Sequence, residues 1–127
     1  MSKNEVLLML LKARQLHLEW RSHAEMLIKG MEPNDAKAPV EDHRCDFGKW
    51  FYGPAKECLG LLKYYDLVAE SHHVMHAVYG EVYAHMRHHK VTEAKGKLLE
   101  LAQASDTLLD AIDLFEQEVL AAPECQR

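Results

Sequence analysis

Apolar side chains recur every three or four residues through three long stretches of this chain, and that period predicts α-helix. Over residues 3–29 the steps fall on Val6, Leu10, Ala13, His17, Trp20, Ala24 and Leu27, which share one helical face. Gly30 is a helix stop, and the run from Met31 to Glu41, with Pro33, Asn34, Asp35 and Pro39, reads as a loop. A short helix is expected over about 42–52, ending at Gly53-Pro54. A long third helix should run from Pro54 or Leu59 to Lys90, with Gly60 as a weak point near its start. Its inner face steps through Leu61, Tyr65, Val68, His72, Met75 and His76, Tyr79, Tyr83 and Met86. Thr92 is a candidate N-cap for a last helix over 93–121, whose inner face runs from Ala94 and Leu98 to Phe115 and Val119. No alternating segment suggests a strand, and no internal repeat is present. The expected fold is all-α: an antiparallel helical bundle of three long helices plus one short helix. A single domain over 1–127 is expected, packed over about 5–121, with a frayed tail at 122–127.

A chain of 127 residues, 48% of them apolar, can bury a core without disulfides. Its net charge of −5 is spread out, which argues against a nucleic-acid partner, since binding phosphates requires a basic stripe. Arg87-His88-His89-Lys90 reads as a solvated helix end whose cations suit the dipole. No apolar run approaches the ~20 residues that span a bilayer, so no membrane contact is expected. The opening MSKNEVLLMLLKARQ carries Glu5, Lys12 and Arg14 and lacks a small-residue cleavage site. Cytoplasmic residence is the resulting expectation. The three cysteines suggest no disulfide framework, and Cys58 and Cys125 read as bystanders.

Nine histidines are the first hint of a metal site. His72 and His76 lie four apart on the inner face of the third helix. At that spacing two imidazoles can reach one cation. A single inward histidine is ordinarily a hydrogen-bonded core residue; two so spaced make ligation an equal reading. His17 lies on the apolar stripe of the first helix beside Trp20, where burying an imidazole costs free energy unless it finds a partner. Cys45 falls within Arg44-Cys45-Asp46-Phe47-Gly48-Lys49-Trp50 and is either an inert buried thiol or a zinc-binding thiolate. Taken together, three imidazoles and one thiolate make a closed tetrahedral shell that suits zinc over magnesium or calcium. With no open position for water or substrate, such a site points to structure or regulation and away from hydrolysis. His73 lies about 100° round the helix from His72 and should not share the ion. His43 is the reserve ligand, and His23, His85, His88 and His89 look peripheral.

Three motifs, His17-x-x-Trp20, Cys45-x-Phe47-Gly48-x-Trp50 and His72-x-x-x-His76, resemble in order and spacing those of the chemoreceptor zinc-binding domain family. The middle element joined to the paired histidines is specific; His-x-x-Trp alone is weak. The resemblance covers about residues 5–115. It implies a helical, often homodimeric cytoplasmic domain with zinc held by His17, Cys45, His72 and His76. It also implies a sensor of zinc or of oxidants such as hypochlorite, attached to a chemoreceptor or diguanylate cyclase output module. No such module is visible in these 127 residues. Asp46, next to the cysteine, is a candidate to orient a neighbouring group.

Other classes fit less well. A ferritin-like di-iron site requires Glu-x-x-His on facing helices, and Glu70 with His73 stands alone. No Cys-x-x-Cys-His haem signature, phosphate loop or nucleophile elbow is present, so no enzyme is expected. A metal-stabilised oligomerisation module is the alternative, with Trp50-Phe51-Tyr52 as an exposed aromatic interface.

Overall fold

The computed structural model describes residues 1–31 and 40–124, folded as α1 (Lys3–Ile28), α2 (Asp46–Phe51), α3 (Pro54–Leu59), α4 (Tyr65–Arg87), α5 (Val91–Gly96) and α6 (Leu98–Ala121). The described residues contain no strand, and the fold is an all-α bundle. Most of the expected loop and the last residues of the expected frayed tail lie outside the described residues, as does Cys125.

Ser2 caps α1 by accepting the Glu5 N–H at 3.1 Å. The helix ends as Gly30 turns to φ +84°, with Gly30 N bonded to Leu27 O and Met31 N to Met26 O. These two bonds form a Schellman motif, which a left-handed glycine closes without steric cost. All seven positions of the predicted α1 stripe are buried.

Three long helices make the body. Lys3 Nζ donates to Leu120 O, Arg14 pairs with Asp113 and Glu116, and Arg21 pairs with Asp106. As α1 advances its partners recede along α6, so the two helices are antiparallel. Tyr65 meets Phe115 at the start of α4, which therefore runs antiparallel to α6 and alongside α1. The return from the end of α1 to the start of α4 includes α2 and α3.

The predicted third helix is interrupted. Leu61, assigned to its inner face, is fully solvent-exposed, and the chain turns over residues 60–64. No local side chain caps α4. The Glu118 carboxylate of α6 does so instead, accepting Lys63 N at 2.5 Å and Tyr64 N at 2.8 Å. An anion at orphan N–H groups satisfies them and opposes the positive end of the helix dipole. The last helix is also divided: Thr92 lies inside α5, and α6 begins after Lys97.

Phe47 and Phe51 anchor α2 in the core. Phe51 stacks on Tyr65 with ring centroids 4.2 Å apart and meets Phe115 edge-on. The expected aromatic interface at 50–52 is thus not exposed: Phe51 is fully buried, and Trp50 and Tyr52 are partly so. Burial of these rings is worth more to the fold than leaving them at the surface. Cys45 is a free buried thiol, whereas Cys58 lies outside the donor cluster and is disulfide-bonded, which the cysteine count did not suggest.

Gly48 permits the tightest turn near Cys45. A Cβ there would lie 1.8 Å from Asp42 O. Glycine to alanine within a helix ordinarily stabilises by about 1 kcal/mol. Here the clash is with backbone and cannot be relieved by a rotamer. Gly48→Ala is expected to destabilise the protein by roughly 1–3 kcal/mol, the usual cost of overpacking. A urea midpoint equal to or above wild type would count against this packing.

Candidate metal centre

The four residues singled out in the sequence reach the same point from three segments of the chain. Two turns of α4 carry His72 and His76 on its inner face, and α1 carries His17 opposite them. Cys45 is not inside a helix as expected; it is the N-cap of α2, with its Sγ accepting Gly48 N–H at 3.2 Å. One ligand atom from each of the four lies within 4.8 Å of the others. Around one tetrahedral zinc the donors would be about 3.3–3.6 Å apart, so closure requires shifts of only about an ångström. All four residues are at most 2% exposed.

The neighbours of each imidazole fix its tautomer. His17 Nδ1 lies 2.7 Å from Ala13 O and His76 Nδ1 lies 3.1 Å from Val40 O. A carbonyl only accepts, so both Nδ1 atoms carry the proton and both Nε2 atoms keep their lone pairs. His17 Nε2 is buried with no hydrogen-bond partner among the described residues. His72 Nδ1 lies 3.1 Å from the Tyr52 hydroxyl, which is also 3.0 Å from Asp42 Oδ2. The hydroxyl has one proton, and a carboxylate is the stronger acceptor. Tyr52 therefore donates to Asp42 and accepts from His72 Nδ1–H. That leaves His72 Nε2 with its lone pair, 3.3 Å from Cys45 Sγ. Such backing of ligand imidazoles by carbonyls and carboxylates is the usual second layer of a metal site.

Electrostatics follow from burial. Removal from water holds His17 down to about 4, and burial lowers His72 further still. Burial pushes the Cys45 thiol up to about 11, outweighing the stabilising bond from Gly48 N–H. At neutral pH and without a cation, these two imidazoles and the thiol are uncharged. Three N lone pairs and a thiol that ionises on metal binding are an N/S donor set suited to zinc.

His73, excluded as a ligand, is exposed, and His43 lies outside the buried group, stacked on the Tyr52 ring at 4.1 Å. Asp46 is exposed; Asp42 and Tyr52 supply the orienting contacts expected of it. Neither residue carried a sequence signal for this role, because Tyr52 meets His72 across 20 residues and Asp42 acts only through the Tyr52 hydroxyl, contacts that exist only in the folded chain. Among the described residues no helix is long and apolar enough to cross a membrane.

A model of the chemoreceptor zinc-binding domain family matches residues 17–83, more than half of the chain and including all four clustered residues. No curated protein and no solved structure matches.

The depressed histidines give the metal-free fold an acid weakness. In the unfolded chain they take up protons near their ordinary value of 6.5, while folded His17 resists until about 4. The unfolded state therefore binds more protons in that window, and stability falls as pH falls through it. The shift at His17 alone corresponds to about 3 kcal/mol. Chelator-treated protein should show a urea midpoint dropping between pH 6.5 and 4, with a shallower drop in His17→Leu. A midpoint flat across that window would contradict the burial of a neutral cluster.

Proposed function

Because this chain belongs to the chemoreceptor zinc-binding domain family, we propose that His17, Cys45, His72 and His76 hold its zinc and that the domain senses oxidants through Cys45. The observation that carries this reading is the double duty of one sulfur. Cys45 Sγ caps the first turn of α2 and also lies within the donor cluster. Bound zinc would keep that sulfur a thiolate despite its burial.

A two-electron oxidant such as hypochlorous acid would take an electron pair from the thiolate. The balance is RS⁻ + HOCl → RSOH + Cl⁻: a sulfur–oxygen bond forms, the oxygen–chlorine bond breaks, and chloride leaves. The sulfenic oxygen cannot occupy the place of the sulfur in the Gly48 N–H bond or among the imidazoles. His17, His72 and His76 retain their anchors on Ala13 O, Tyr52 and Val40 O. The change therefore falls on α2, a six-residue helix, and not on the bundle. A small helix with two arrangements is an element that a partner can read.

In this reading the domain is not an enzyme and works in the cytoplasm as a homodimer beside an output module of the chemoreceptor or diguanylate cyclase kind. Leu8, Leu11 and Leu18, each about half exposed on one face of α1, are a surface for the second copy.

Two measurements bear on it. Treatment with one equivalent of hypochlorite should change near-ultraviolet dichroism and zinc retention in wild type and leave Cys45→Ser unmoved; equal responses in both would exclude the redox reading. Tyr52→Phe removes the hydroxyl behind His72 and should weaken zinc binding roughly 10–100-fold, the usual effect of losing such a partner. An unchanged zinc affinity would mean that the Tyr52 contact does not serve the metal.

A further inference from the structure

Beside the buried cluster a cavity of about 550 Å³ opens between α4 and the segment preceding α2. Its wall includes Asp42, His43, His73, His76 and Glu81. Asp42 is only 8% exposed, but its carboxylate is flanked by two imidazoles that face solvent. His73 Nδ1 is 3.4 Å from Oδ2, and His43 Nε2 is 3.9 Å from Oδ1. From this geometry we infer that Asp42, His43 and His73 form a second, exchangeable site for a divalent transition-metal ion at the mouth of the buried centre.

Two imidazoles and a carboxylate are donors for zinc, copper or nickel, and a poor set for magnesium or calcium. Donor atoms sharing one such ion lie about 3 Å apart, so the two imidazoles, which sit against different carboxylate oxygens, must swing toward each other as well as toward Asp42. Their side chains are 70% and 71% exposed, so turning His73 displaces water, whereas turning His43 also gives up its stacking on the Tyr52 ring. Three protein donors leave the remaining positions to water. An ion held in that way exchanges readily, unlike one enclosed by four protein ligands.

The arrangement also gives the site a purpose. The Asp42 carboxylate touches the same Tyr52 hydroxyl that meets His72, and His76 borders the same cavity. An ion captured at Asp42 is thus one residue away from the buried donors. The second site serves as a loading station for the first. The loading role rests on the zinc reading above; the existence of the second site does not.

The test is a titration of the full chain with zinc or nickel, first with the buried site filled by one equivalent of zinc. Wild type should take up a second, weaker equivalent. His73→Ala and His43→Ala should each weaken it about tenfold or more while leaving the first equivalent intact, since even an outer partner of a metal costs that much. Saturation at one equivalent, or a second equivalent indifferent to both substitutions, overturns the site. Cys45→Ser with His17→Ala separates the two readings: it should abolish tight binding and spare the weaker equivalent. If the tight equivalent survives in that variant, the buried assignment fails and the surface site stands. Zinc uptake by metal-free protein should be about tenfold slower in the His43→Ala/His73→Ala double variant, with final occupancy unchanged. An equal uptake rate overturns the loading role.

Discussion

Three imidazoles and a thiol share one water-free volume, and the bundle is arranged to tolerate them. Trp20 and Phe47 pack against these rings, and Tyr79 packs on Trp20, so water is excluded on the helix-facing side. Excluding water disfavours charge on every one of these groups. Only a cation, by drawing on all the lone pairs at once, turns that desolvation cost into a favourable term. The N/S composition of the set makes zinc the matching ion.

Rigidity comes from anchors as much as from packing. Ala13 O, Val40 O and the Tyr52 hydroxyl each engage the far nitrogen of a clustered histidine, and each belongs to a different segment. Close approach of Val40 to α4 requires the missing side chain of Gly80, whose added Cβ would lie 2.9 Å from a Val40 methyl. Glycine there has a packing role that ordinary helix propensity does not suggest. The site thus depends on contacts at several distances along the chain, held in place by the fold.

The face of α1 was legible in full because the helix keeps one register from cap to Schellman turn, and periodicity reports that register directly. The inward placement of His17, His72 and His76 was legible for the same reason, since they occupy inward steps of uninterrupted helix; Cys45, an N-cap, has no such register and joined the set through the motif resemblance. The beginning of α4 was not. Leu61 continues the three-and-four stepping, but the helix has already ended at Leu59, and the group that restarts it is Glu118, 54 residues from Tyr64. Thr92 has the chemistry of a cap without the position, because α5 starts before it. Asp42 and Tyr52 escaped notice because a residue that orients a ligand leaves no periodic trace. Asp46, adjacent in sequence, faces solvent instead.

The first and last described helical turns meet. Lys3 N donates to the Glu124 carboxylate, and Lys3 Nζ reaches Leu120 O, so the two ends of the described chain emerge side by side at one pole of the bundle. A module whose ends touch can be spliced into a surface loop of an unrelated protein without prying either partner open. Grafted between the halves of a fluorescent reporter, this bundle would hold its host's two splice points side by side.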